Sequence, residues 1–92
     1  METKKVYLVI CESNLPSSFM YTVEDAFDKE EKARNCIGSC IVDLIKQCDA
    51  KDFYPEYFAD WRTEASGKES VVYSCKNEFF YVKYYIEEVD IN

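Results

Sequence analysis

Histidine is absent from this 92-residue chain. Proton transfer at neutral pH falls most naturally to imidazole, so the commonest general acid–base designs are excluded, along with every Ser-His or Cys-His nucleophile pair. Glycine occurs twice, at Gly38 and Gly67, and neither lies in a loop pattern that could cradle a phosphate. No Cys-x-x-Cys pair occurs, although there are five cysteines. Zinc ligands come as tightly spaced pairs, so the cysteines read as packing groups, and no metal or cofactor is expected. Repeats, linkers and low-complexity tracts are missing as well. The apolar run before Glu12 is too short for a signal-peptide core or a membrane span. The expectation is a cytoplasmic protein with reduced cysteines, no membrane association and no catalytic residues.

What the chain does have is aromatic bulk and negative charge. Eight Tyr, six Phe and one Trp equip a thin core, because each aromatic buries about 150–250 Å². Eighteen acidic residues face eleven basic ones, for a net charge of −7. Such a field repels phosphate backbones, so direct binding to nucleic acid is not expected. It suits a basic protein surface, although a charge of this size also serves solubility alone.

The patterning predicts one α+β domain over 1–92. Residues 5–11 are a β-prone run, apolar on both faces, as in a strand covered at least partly on each side. Residues 13–18 read as a loop and 19–23 as a second strand, antiparallel to the first. Asp28 and Glu31 have capping-box spacing, which predicts a helix opening at Asp28. Its apolar stripe runs through Ala33, Cys36, Ile37, Cys40, Ile41, Leu44, Ile45 and Cys48, wide enough to cover a sheet. Pro55 can start a short helix, and 63–70 reads as a flexible loop. Residues 71–75 and 79–86 form a hairpin across a turn at 76–78. The expected order is β-β-α-(short α)-β-β: a small antiparallel sheet of about four strands with one amphipathic helix on one face.

Two places could carry function. In the segment after the main helix, Asp49, Asp52, Glu56, Asp60 and Glu64 surround Tyr54, Tyr57 and Trp61, the composition of an interface on a basic partner. Phe53, Tyr57, Phe58 and Trp61 could equally complete the core. The second place is the wetter face of the last strand, with Phe79, Tyr81, Lys83 and Tyr85, which could stack a base. The adjacent carboxylates Glu87 and Glu88 point to opposite faces of a strand and do not converge.

Residues 6–12 (VYLVICE), 23–33 (VEDAFDKEEKA) and 84–91 (YYIEEVDI) resemble small uncharacterised accessory proteins of Gram-positive phages and prophages. The resemblance covers about a third of the chain and leaves out the segment from 49 to 70. It implies a phage accessory protein, a class whose small acidic members include anti-CRISPR inhibitors. The expected function is therefore a non-enzymatic inhibitor that sets its acidic surface in the basic nucleic-acid groove of a host nuclease or CRISPR effector. The alternatives are a nucleotide-binding module and an accessory homodimer joined through a sheet edge.

Overall fold

The computed structural model describes residues 4–91. Met1 to Thr3, which open the segment read for a leader, and Asn92 lie outside them. Five strands and two helices follow in the order β1 (Lys4–Leu15), β2 (Ser18–Phe27), α1 (Glu30–Asp49), α2 (Pro55–Phe58), β3 (Trp61–Ser66), β4 (Glu69–Ser74) and β5 (Tyr81–Ile91). The strands form one sheet in the order β2-β1-β5-β4-β3, with every pairing antiparallel. The α+β class and the helix packed on the sheet are as expected; the strand count is five, not about four.

The extra strand comes from 61–66, most of which was read as loop. All its positions but Trp61 are exposed, so this edge strand has no apolar alternation to announce it. Its pairing with β4, from Trp61–Ser74 to Ser66–Glu69, decides the conformation instead. The two strands are joined at Gly67 and Lys68, and Gly67 takes φ 56°, which a residue without a Cβ adopts at no steric cost. The predicted loop at 13–18 likewise shrinks to a two-residue turn at Pro16 and Ser17. Ser13 and Leu15 continue β1 with their side chains buried, and Asn14 donates from Nδ2 to the Phe79 carbonyl at 2.8 Å.

β5 is the central strand, and it pairs with β1 in register from Lys4–Ile91 to Asn14–Tyr81. One face carries Val9, Cys11, Leu15, Val72, Val82 and Ile86, and α1 lies on it through Ala33, Ile37, Leu44 and Cys48. The helical stripe therefore does what its width predicted. No element covers the other face, yet Ile10 there is only 1% exposed, flanked in register by Val23 and Tyr85.

The helix start differs from the capping-box reading. α1 begins at Glu30 with Lys29 as its N-cap, in extended backbone and with no side-chain cap bond. Because β2 runs through Phe27, Asp28 stands one position too early to reach the free N–H groups of the first turn. Its carboxylate pairs with Lys32 instead, at 3.1 Å. Glu30 and Glu31 do occupy the first turn, where the helix dipole favours them.

At its other end α1 closes through a Schellman motif. Asp52 N–H donates to the Gln47 carbonyl and Lys51 N–H to the Cys48 carbonyl, at 2.9 and 3.0 Å. The pivot, Lys51, has φ 59° in a position usually given to glycine. This turn sets the direction in which 52–60 leave the helix.

Candidate functional site

The segment from Asp49 to Glu64 separates into a base of rings and an outer set of carboxylates. Phe53, Tyr54, Tyr57 and Trp61 pack against the buried cluster of Cys11, Leu15, Leu44, Cys48, Phe58, Val72 and Val82. Phe58 is completely buried. Phe53 meets Tyr54 edge-on at 5.0 Å and Phe58 at 5.1 Å, while Tyr57 meets Phe80 edge-on at 4.9 Å. Such pairs contribute about 0.5–1.5 kcal/mol each beyond their burial. The backbone is tied down as well. Ser74 Oγ, fully buried, donates to the Tyr57 carbonyl and accepts from Asn77 N–H, and Cys75 N–H donates to the Asp60 carbonyl at 2.9 Å.

Of the two readings of these aromatics, core completion accounts for Phe58 entirely, and Tyr54, Tyr57 and Trp61 are half-buried parts of the same packing. The carboxylates fare differently. Asp49, Asp52, Glu56 and Asp60 are all exposed. Asp49 accepts from Trp61 Nε1 at 3.1 Å, which fixes the indole against the helix end. Among the described residues none of the four is in an ion pair. Glu64 does not join them. It lies on β3 facing the uncovered side of the sheet, 3.6 Å from Arg62. Tyr54 starts α2 in the left-handed region, at φ 40°, the second such residue within four. Two non-glycine residues held there cost energy that the surrounding packing must offset.

The uncovered face has its own network. Tyr81 donates to Glu12 at 2.7 Å, and that bond, with burial secondary, pushes the phenol up to about 12. Lys83 pairs with the same carboxylate at 3.7 Å and lies over the Tyr85 ring. Arg62 sits 4.7 Å over the Tyr73 ring and within reach of Glu78. This is the wetter face anticipated for β5, and its cations are already engaged.

Between α1 and the first hairpin is a cleft of about 320 Å³ that sequence patterning did not reveal, because its wall includes Met20 and Glu24 of β2. Cys11, Cys40, Leu44 and Tyr84 line its floor. Burial pushes the Cys11 thiol up and, with Cys36 beside it, moves Cys40 to about 11. Burial also raises Cys48 to about 11. These thiols are protonated at neutral pH and are weak nucleophiles. Among the described residues no three of Cys, Asp or Glu converge in a way that could hold a metal ion. No described helix is long and apolar enough to cross a membrane.

Comparison with known families, with curated proteins and with solved structures finds nothing that matches this chain.

Proposed function

We propose that this protein is a non-catalytic inhibitor that docks its acidic end, Asp49, Asp52, Glu56 and Asp60, on a basic surface of a partner protein. The carrying observation is that these four carboxylates are exposed, have no ion-pair partner among the described residues, and stand on a base of packed rings. The packed rings fix the backbone that bears these charges, which limits the ordering cost of a contact to the side chains themselves. A groove shaped for phosphates is the matching surface, so the carboxylates stand where phosphates would lie. The half-buried Tyr54, Tyr57 and Trp61 offer their outer edges as the apolar part of the contact. Glu64 faces another side and is not part of it. The resemblance to phage accessory proteins makes RNA-guided nucleases of host defence the partner class to try first.

The nucleotide-binding alternative is less well supported. A base could stack on Tyr73 or Tyr85, but the two cations over those rings, Arg62 and Lys83, are already paired with Glu64, Glu78 and Glu12 and are not free for a phosphate.

The test uses a purified guide-loaded nuclease and measures inhibition of duplex cleavage at low and high salt. Inhibition that weakens with salt is expected, with progressive loss in Asp52→Lys, Glu56→Lys and Asp60→Lys. No inhibition across a panel of such nucleases, or inhibition indifferent to both salt and charge reversal, defeats the reading.

A further inference from the structure

The outer edge of β2 is built as few natural edges are. Edge strands are normally blunted by lysine, proline or inward-pointing charge, because their free N–H and C=O groups template further pairing. From Ser18 to Val23 β2 has none of these. On the uncovered face it presents Phe19, Tyr21 and Val23, which are 65, 52 and 55% exposed. Val23 helps to shield Ile10, yet all three side chains leave more than half of their surface in water, which folding of the monomer does not require.

Backbone geometry selects the same three residues. A two-residue turn joins Leu15 to Ser18, the first pair of the ladder. Counting the antiparallel alternation from that pair turns the N–H and C=O of Phe19, Tyr21 and Val23 away from β1, toward solvent. At Glu24 the register shifts, since Val9 pairs with Asp25 and Ile10 with Val23. This bulge ends the regular edge. What remains is a short template with its donors, acceptors and apolar side chains at alternate positions.

We propose that β2 pairs antiparallel with β2 of a second copy of this chain, about a two-fold axis at Tyr21, to give a continuous ten-stranded sheet. In this register Tyr21 meets the partner's Tyr21, and Phe19 meets the partner's Val23. On the other face Met20 meets the partner's Thr22, and Ser18 meets the partner's Glu24. No like charges are opposed. Moving the axis to Met20 sets Val23 against the partner's Ser17 in the turn. Moving it to Thr22 sets Phe19 against the partner's Asp25. Only the Tyr21 axis matches all three apolar side chains with apolar partners, and this self-complementarity names a second copy as the occupant.

The surface is distinct from the acidic end, and the two respond oppositely to salt. Two chains of net charge −7 repel, so added salt strengthens self-association while it weakens docking on a basic partner. Sedimentation equilibrium of the full chain over a concentration series is the experiment. A monomer–dimer equilibrium that tightens with salt is expected. Tyr21→Lys, at an exposed position, shifts it toward monomer by at least about ten-fold, equivalent to about 1.4 kcal/mol. Phe19→Lys weakens it similarly, and adding Val23→Glu restores it, because the register makes those two positions cross-strand partners. A protein that stays monomeric to roughly millimolar concentration, or that captures an extended peptide instead of its own copy, overturns the proposal. So does a dimer indifferent to Tyr21→Lys, or a double variant no tighter than Phe19→Lys alone.

Discussion

The two ends of α1 handle charge in opposite ways. Around its first turns three carboxylates have cations, while Glu31 has none among the described residues. Asp28 pairs with Lys32, Glu30 with both Arg34 and Lys68, and Glu88 with Lys68 and Lys5. Around its last turn and the segment that follows, Asp49, Asp52, Glu56 and Asp60 have none. The first end has most of its carboxylates in ion pairs, Asp28, Glu30 and Glu88, over a modest apolar cluster of Val9, Ala33, Ile37 and Ile86. The second leaves its charge open over the densest aromatic packing in the molecule. Exposed ion pairs contribute little to stability, so the paired end is not thereby the sturdier one. Stability belongs to the rings, and the open charges rest on them.

The strongest way to break this contrast is to remove the ring at its centre. Phe58→Ala should destabilise the fold by about 3–5 kcal/mol in urea denaturation, because a fully buried aromatic leaves a cavity that its neighbours refill only partly. A loss under about 1 kcal/mol would show that the acidic end does not depend on its aromatic base. A smaller effect, of opposite sign, is expected at the helix stop. Lys51→Gly relieves the left-handed strain and should stabilise by about 0.5–1 kcal/mol, while also deleting the one cation between Asp49 and Asp60. The same variant should therefore bind a basic partner more tightly, and a thermal melt beside a binding titration reads both.

The smallest effect belongs to the paired end. Lys68→Met removes the cation shared by Glu30 and Glu88, whose hydrogen bonds to it hold both carboxyls below their ordinary value of 4.5. Their contribution is present above that value and is lost as pH falls through the lowered folded-state values. The same bonds raise Lys68 above 10.5, so its contribution is present below that value and disappears as pH rises through the raised one. Between those limits the variant should be slightly less stable than the parent, and the difference should shrink toward both acid and alkali and in high salt. A deficit that persists at low pH would point to lost packing of the lysine stem instead.

How much of this was legible depended on whether burial left a period behind. The stripe from Ala33 to Cys48 declared α1, and the alternation of Val82, Tyr84 and Ile86 against Tyr81, Lys83 and Tyr85 assigned both faces of β5 correctly. β3 left no such trace, since it is a polar edge strand held by its ladder to β4. The capping spacing at Asp28 and Glu31 was real but misplaced, because the end of β2 took the backbone at Phe27 and shifted the helix start to Glu30. At the candidate site, the sequence sets carboxylates and aromatics together but does not separate those that face the core from those that face water. That division depends on Lys51 and Tyr54, two left-handed residues that no local propensity announces. Glu64, four residues after Asp60, went to the other side of the sheet once 61–66 became a strand.

The register of β1 against β5 has a consequence for how the protein is made. The central strand, β5, comes last of the described strands, and β1, one of its two neighbours, comes first, so the middle of the sheet cannot close while β5 is still unsynthesised. Until then Val9 and Cys11 have no Ile86 or Tyr84 beside them, and α1 has only half a floor to settle on. Folding on the ribosome is thus expected to wait for the final strand, with a long-range closure as its slow step. Through that interval the β1–β2 hairpin shows the cell both its edges, β1 and β2, whereas in the finished sheet only its β2 edge stays open.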